Sequence, residues 1–199
     1  MRARLVTAGL VAAALAVAAP LTATAAPAPS APATVAAEKP PYETWIADVG
    51  VVAAQLETYL GSRLTTPGEK TAITLDIDNT TLETAYNPQL TTPAIKSMLR
   101  AVKLAKSKGT AVFFVTNRPE VLGLPTKANL VDVGYPVDGL HLRPWFNFEP
   151  TEKVKTDARK AIEAKGYKIV ANVGNNTWDL AGGHAERTFK LPDYNGALD

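Results

Sequence analysis

Short apolar runs that end in polar residues restrict the fold of this chain more than any other feature. Three such runs cover residues 72–75, 111–115 and 168–173, and segments with helical spacing of apolar residues lie between them. Strands that are apolar on both faces are typical of a parallel sheet with helices on both sides. The pattern therefore predicts an α/β fold of three layers around a central parallel sheet.

The first apolar run ends in the sequence Asp76-Ile77-Asp78-Asn79-Thr80. Because side chains alternate along a strand, Asp76 and Asp78 start on one face with Cα atoms about 6 to 7 Å apart. Two carboxylates this close need a cation, a shared proton or a bend in the backbone. The residues alone leave a strand cap followed by an Asx turn as the alternative. A calcium-binding EF-hand loop is excluded, because its Gly and Glu positions hold Thr81 and Asn87.

Polar residues also follow the second and third runs. Thr116 comes directly after residues 111–115, and Asn175 and Asp179 follow residues 168–173. Ligands of parallel α/β sheets bind at the carboxyl ends of the strands. We therefore expect these three residues to converge with Asp76 and Asp78 on one crevice.

The amino-terminal residues have the composition of an export signal. Arg2 and Arg4 precede an apolar run over residues 5–19, and Ala23-Thr24-Ala25 fits a cleavage site of small residues. We predict a signal peptide over residues 1–25 and a secreted protein without a membrane segment after cleavage. A membrane anchor is the weaker alternative, because the run is short for a bilayer span. Residues 26–41 are rich in Ala and Pro and predict a disordered leader.

Charge and cysteine content narrow the function classes. Removal of residues 1–25 lowers Lys+Arg from 21 to 19, which equals the 19 Asp+Glu. The mature chain is thus formally neutral, and without a basic block we expect no nucleic-acid partner. No Cys is present, which excludes disulfides and thiolate chemistry. Residues 42–199 are long enough for one domain.

The domain is predicted to begin with an amphipathic helix over residues 42–64. Its apolar residues follow the 3.6-residue period of a helix face that packs on a core. An interface between copies is the alternative use of this stripe, so a homo-oligomer stays open. The stripe consists of Trp45, Val49, Val52, Ala53, Leu56, Tyr59 and Leu60.

The polar motifs, taken together, resemble those of the haloacid-dehalogenase (HAD) superfamily of phosphohydrolases. Asp76 to Thr80 after an apolar strand is similar to its first motif, DxDxT, and Thr116 in FFVTNRPE is similar to the second. Lys155 in VKTDAR resembles the third motif, and GNNTWDL over residues 174–180 resembles the fourth, GDxxxD. The order and strand-end placement of these motifs resemble the acid phosphatases of class B and of the plant vegetative-storage type, subfamily IIIB.

This resemblance implies a Rossmann-like HAD fold and a role for each matched residue. Asp76 is implied as the catalytic nucleophile that forms an aspartyl-phosphate, and Asp78 as the catalytic acid and base. The implied phosphate-binding residues are Thr116, Asn117, Arg118 and Lys155. The implied cofactor is Mg²⁺, a hard ion that prefers oxygen ligands. The implied metal ligands are Asp76, Asp78, Asn175 and Asp179.

One residue departs from the family pattern. The pattern has Asp where this chain has Asn175, so a ligand expected to be charged is neutral and the affinity for Mg²⁺ should fall. The motif spacing leaves no room for a large cap domain, which favours an open site. We therefore predict a secreted, Mg²⁺-dependent phosphomonoesterase of acid phosphatase type that acts on small phosphomonoesters. The alternatives are a non-catalytic phosphoester-binding or storage-like protein and a phosphotransferase.

Overall fold

A computed structural model describes residues 37–198 of the chain. The predicted signal peptide, residues 1–25, and most of the predicted leader lie outside the described residues and stay predictions. The contacts of the domain begin slightly before residue 42, because Lys39 Nζ donates to the carbonyl of Ala85 and Tyr86 Oη donates to the carbonyl of Pro40. Over residues 37–198, no helix has the length and apolar character needed to cross a membrane.

The predicted three-layer α/β architecture is confirmed. Five parallel strands form one sheet in the order β3-β2-β1-β4-β5, so β1, whose five residues are all buried, lies at the centre. Within the described residues, the interval between β1 and β2 holds only a loop and α2, and no cap domain is inserted there. The elements are α1 (Tyr42–Arg63), β1 (Thr71–Leu75), α2 (Lys96–Ser107), β2 (Ala111–Pro119), a 3-10 turn (Glu120–Leu122), α3 (Gly123–Asp132), β3 (Gly139–Arg143), α4 (Thr151–Glu163), β4 (Lys168–Gly174), α5 (Thr177–Leu180) and β5 (Arg187–Lys190).

Two apolar clusters cover the two faces of the sheet. The larger cluster joins α1 and α2 to the sheet, and Trp45 and Leu56 of α1 are fully buried in it. The smaller cluster packs Ile162 of α4 against Phe113 of β2. The apolar stripe of α1 is therefore used for packing within the chain, as one of its two sequence interpretations had it.

β2 is longer than predicted and irregular near its end. Val115 pairs with His141, whereas Pro119 pairs with Arg143, so β2 has two more residues in this interval than β3. Extra residues in one strand form a bulge, which bends the strand and redirects its side chains. Thr116 therefore lies within an irregular part of β2, not just after the strand.

The start of α2 differs from the prediction of the sequence, in which Thr92 followed by Pro93 is typical of a helix cap and first helical residue. The backbone N–H of Thr92 donates to Asn129 Oδ1 (2.9 Å), and Asn129 Nδ2 donates to the carbonyl of Thr92 (2.9 Å). These contacts hold Thr92 in a loop, and the helix begins at Lys96. The Thr92 hydroxyl donates to the carbonyl of Gln89 (3.1 Å), so it does not cap the helix.

The packing of α1 predicts a contrast between two substitutions on this helix. Leu56→Ala removes a fully buried side chain and should lower the free energy of unfolding by about 2 to 5 kcal/mol. Val51→Ala, on the exposed face of the same helix, should change it by less than about 0.5 kcal/mol. Urea denaturation measures both. Equal effects of the two changes would contradict the packing of α1 on the sheet.

Candidate active site

Asp76 extends β1 by one residue at the carboxyl edge of the sheet. Its backbone N–H donates to the carbonyl of Val173 in β4 (2.9 Å). The chain then reverses, because the N–H groups of three residues, Thr80, Thr81 and Leu82, donate to the carbonyl of Ile77 (3.3, 2.9 and 3.0 Å). Asn79 has a φ of 55° in this turn, a conformation that Asn adopts more readily than most residues.

Lys155 of α4 connects the first and fourth motifs. Its Nζ lies 2.5 Å from Asp76 Oδ1 and 2.5 Å from Asp179 Oδ1. Burial raises the pKa of Asp76 to about 6; the charge of Lys155 opposes this shift and that of Asp179 adds to it. Burial alone would lower the pKa of Lys155, but the two carboxylates outweigh it and the pKa is raised. One ammonium thus holds two carboxylates together.

Asp78 has a different partner. Arg118 Nε and Nη2 donate to its Oδ2 and Oδ1 (3.0 and 2.6 Å), and Thr84 Oγ1 donates to Oδ1 (2.8 Å). Burial would raise the pKa of Asp78, but the hydrogen bonds and charge of Arg118 outweigh it and lower the pKa. The bulge in β2 aids this contact, because the backbone N–H of Arg118 donates to Thr116 Oγ1 (3.1 Å) within it.

Asp179 is fixed at the start of α5 by a reciprocal cap. Its Oδ2 accepts the backbone N–H of Asn176 (2.9 Å), and the side chain of Asn176 caps the helix in return. Gly174 makes this approach possible. A Cβ on Gly174 would lie 2.3 Å from the Cβ of Asp179 and 2.5 Å from its Oδ2.

A cavity of about 460 Å³ opens between these elements. Six of the residues selected from the sequence line it: Asp76, Asp78, Thr116, Asn117, Lys155 and Asp179. Arg118 does not line the cavity but contacts two residues that do, Asp78 and Thr116, and Asn175 does not line it. Six further residues, to which no role was assigned from the sequence, also line it: Asn79, Thr84, Ala85, Asn176, Trp178 and Leu198.

The missed residues differ in how visible they are in the sequence. Asn79, Asn176 and Trp178 fall inside the first and fourth motifs, so their proximity to the site is readable from position. Thr84 lies beyond the first motif, and only the fold shows that its hydroxyl reaches Asp78. Leu198 is distant in sequence from every motif and carries no signal of its own.

The oxygen donors suit Mg²⁺ in chemistry but fall short in number. Asp76, Asp78 and Asp179 line the cavity, and carboxylate oxygens are ligands that Mg²⁺ prefers. Asn175 directs its amide elsewhere, with Oδ1 accepting from Thr80 Oγ1 and Nδ2 donating to the carbonyl of Leu198. In the described part of the chain, no three acidic, His or Cys side chains are grouped as a ready metal site. The residues therefore fit a weak metal site, and the four-ligand set remains a prediction.

Sequence comparison places the chain in a family. A model of the HAD superfamily, subfamily IIIB (acid phosphatase), matches residues 87–197, which is more than half of the chain, so the protein belongs to this family. The stem 28 kDa glycoprotein of Glycine max is 33% identical over 120 residues, covering 58% of this chain and 47% of that protein. Acid phosphatase 1 of Solanum lycopersicum is 33% identical over 106 residues, covering 52% and 42%. The chain thus spans less than half the length of these curated relatives.

Structural comparison agrees on the fold. The class C acid phosphatase of Bacillus anthracis matches with a TM-score of 0.61 and 19% identity, covering 78% of this chain and 83% of that one. Its tungstate-bound form matches with a TM-score of 0.58 and 18% identity over the same shares of both chains. Together with the family match, these likenesses confirm the HAD acid phosphatase resemblance of the sequence motifs.

The close approach at Gly174 predicts a site-specific effect of a single methyl group. Gly174→Ala must displace Asp179, and we expect it to lower the free energy of unfolding by about 1 to 3 kcal/mol. Gly50→Ala in α1 is the matched control, because no heavy atom lies within 4 Å of the added Cβ. Ala favours a helix over Gly, so the control should gain up to about 1 kcal/mol. Urea denaturation separates the two, and an unchanged Gly174→Ala protein would contradict the contact.

Proposed function

We propose that the protein hydrolyses small phosphomonoesters through an aspartyl-phosphate on Asp76. The observation that carries this proposal is the buried Lys155 ammonium between Asp76 and Asp179, at a cavity that Asp78 and Thr116 also line. A carboxylate nucleophile, a second carboxylate and a fixed cation are what a phosphoryl transfer needs. Membership of an acid phosphatase family supports the same reaction.

The proposed reaction has two steps, formation and hydrolysis of the aspartyl-phosphate. A carboxylate oxygen of Asp76 attacks phosphorus, the bond to the ester oxygen breaks, and Asp78 donates its proton to the departing alcohol. Water then attacks phosphorus, Asp78 takes a proton from it, and the bond between Asp76 and phosphorus breaks to release phosphate. Lys155 and the Thr116 hydroxyl would stabilise the charge on the phosphoryl oxygens in both steps.

Asp78 must be released from Arg118 for the first step. An Asp held by a bidentate guanidinium is stabilised as the carboxylate and is a poor proton donor. In the proposed complex, Arg118 turns from Asp78 to the phosphoryl group. The same movement would bind the substrate and favour the protonated form of Asp78 that the departing alcohol needs.

Mg²⁺ dependence is a further part of the proposal. HAD phosphatases generally use Mg²⁺, and here Asp76, Asp179 and the backbone carbonyl of Asp78 are the groups that would hold it. When bound, the ion would supply additional positive charge at the phosphoryl oxygens. Turnover measured over a range of Mg²⁺ concentrations, and after treatment with a chelator, tests this part.

A second candidate function follows from Asn175, whose side chain does not line the cavity. If the shortage of metal ligands abolishes the chemical step, the protein is a phosphoester-binding or storage-like member of the family. Transfer of the phosphoryl group to an alcohol instead of water would use the same residues. Product analysis in the presence of an alcohol acceptor distinguishes transfer from hydrolysis.

Secretion is proposed from residues 1–25 alone. Expression of the full chain, followed by amino-terminal sequencing of the protein recovered from the medium, tests both export and the cleavage site after Ala25. Retention of the intact chain in the cells would contradict it. The size of the mature protein in solution tests whether it forms a homo-oligomer.

Asp76→Asn should abolish turnover, because the amide cannot form the phosphoryl bond. We expect hydrolysis of an aryl phosphate to fall by about 1,000-fold or more. Mass spectrometry of the acid-quenched wild-type protein should show phosphate on the peptide that contains Asp76. The control is Asp157→Asn, which removes the same charge from an exposed position of α4 and should keep full activity. Substantial turnover by Asp76→Asn would exclude the aspartyl-phosphate route.

Arg118→Ala tests whether Arg118 binds phosphate in addition to holding Asp78. We expect binding of inorganic phosphate, measured by calorimetry, to weaken by about tenfold or more, because a charge-assisted contact is lost. Tungstate, which is bound in the Bacillus anthracis structure, is a second probe. Arg100→Ala removes a positive charge from an exposed position of α2 and should leave binding unchanged. If both variants bind phosphate like the wild type, Arg118 serves Asp78 alone.

A further inference from the structure

The side chain of Asn175 is committed to contacts outside the cavity. Its Nδ2 donates to the carbonyl of Leu198 (3.1 Å), and its Oδ1 accepts from Thr80 Oγ1 (3.1 Å). The residue is only 1% exposed. Both ends of the amide are therefore satisfied within the protein.

The carbonyl of Leu198 receives a second amide. Asn79 Nδ2 donates to it at 2.8 Å, while Asn79 Oδ1 accepts the backbone N–H of Ala85 (2.8 Å). Leu198 is itself buried and lines the cavity. Two side chains that follow β1 and β4 thus hold one backbone carbonyl at the wall of the site.

Leu198 lies at the end of residues 192–198, which follow Leu191 and which we call the closing segment. The amides of Asn175 and Asn79 hold its last residue, and two ionic or polar contacts hold it closer to its start. Lys190 Nζ donates to Asp193 Oδ2 (2.8 Å), and Tyr194 Oη donates to Asp48 Oδ2 in α1 (2.6 Å). The amides of Asn175 and Asn79 are the contacts that join the segment to the cavity itself.

Holding the segment and binding a cation are competing uses of the Asn175 side chain. As a ligand, its Oδ1 would have to turn away from Thr80, and Nδ2 would leave the carbonyl of Leu198. A carboxylate at this position would have no hydrogen to donate to that carbonyl and would repel it. An amide is thus required for the observed contact, whereas a carboxylate would be the stronger ligand for a hard cation.

We propose that Asn175 is a clamp for the closing segment and not a metal ligand. Divalent cations are then held weakly, by Asp76 and Asp179 alone among the side chains of the fourth and first motifs. Asn175→Asp would therefore loosen the closing segment and strengthen cation binding. The inference goes beyond the phosphatase proposal and involves no turnover, so either can fail while the other stands.

The test combines two measurements on the mature chain: calorimetric titration with Mg²⁺, and hydrogen exchange of peptides from the closing segment. For Asn175→Asp we expect Mg²⁺ affinity to rise by about tenfold or more, because a charged ligand is gained. Exchange in the closing segment without metal should accelerate by about fivefold or more, because a buried hydrogen bond is lost. Peptides of β1 should exchange as in the wild type.

Two further variants separate the clamp from the added charge. Asn79→Gly removes the other side-chain donor to Leu198 without adding a charge, and Gly tolerates the positive φ of this position; it should loosen the segment without a gain in Mg²⁺ affinity. Asn175→Ala should loosen the segment and gain no affinity. It also serves as the test if Asn175→Asp does not fold.

Two results would overturn the proposal. The clamp is wrong if exchange of the closing segment stays at the wild-type rate in Asn175→Asp or, where that variant does not fold, in Asn175→Ala. The assignment is also wrong if Asn175→Ala binds Mg²⁺ at least about tenfold more weakly than the wild type while exchange of the closing segment is unchanged, because the amide would then act as a ligand.

Discussion

The ammonium of Lys155, buried between the carboxylates of Asp76 and Asp179, is the interaction on which the rest of the site depends. The side chains of Lys155, Asp76 and Asp179 are almost fully buried, with exposed fractions of 3%, 9% and 2%, respectively. Burial of charges is unfavourable unless each has a partner, and removal of one partner from a buried pair typically costs about 3 to 5 kcal/mol. Two local features allow these three side chains to contact each other. The absence of a Cβ at Gly174 lets Asp179 approach, and the cap with Asn176 fixes its second oxygen.

The two aspartates of the first motif are close in sequence, but their surroundings shift their pKa values in opposite directions. Burial gives Asp76 a pKa of about 6, whereas Arg118 lowers the pKa of Asp78. These preferences are the reverse of what the proposed roles require, since the nucleophile must be ionised and the acid must carry a proton. Binding of a phosphoryl group corrects the preference of Asp78 if it draws Arg118 away, whereas the ionised form of Asp76 is favoured by the ammonium of Lys155. The substrate would then complete the catalytic arrangement, as in enzymes where binding drives assembly of the site.

The sequence predicts the sheet, its parallel strands and the convergence of Asp76, Thr116 and Asp179, because these follow from local periodicity and one topological rule. It does not predict features that depend on partners distant in the chain. Nothing near Thr92 shows that Asn129 holds its backbone in a loop, and nothing in β2 shows two extra residues relative to β3. The direction of the Asn175 amide is of the same kind, because the carbonyl that it binds belongs to Leu198.

The amide of Asn175 also affects the net charge of the site. Five ionisable side chains of the motifs line the cavity or contact a lining residue within the described part of the chain. Their formal charges sum to about −1 when all are ionised. These side chains are Asp76, Asp78, Asp179, Lys155 and Arg118. A carboxylate in place of Asn175 would add another negative charge and increase the need for a divalent cation before a phosphate anion could bind. In the proposed phosphatase, the amide would therefore lower both the affinity of the site for Mg²⁺ and its dependence on that ion. A proton on Asp76 would also relieve the repulsion, but it would remove the proposed nucleophile. In the proposed mechanism, phosphate would therefore be bound mainly through Lys155 and a displaced Arg118.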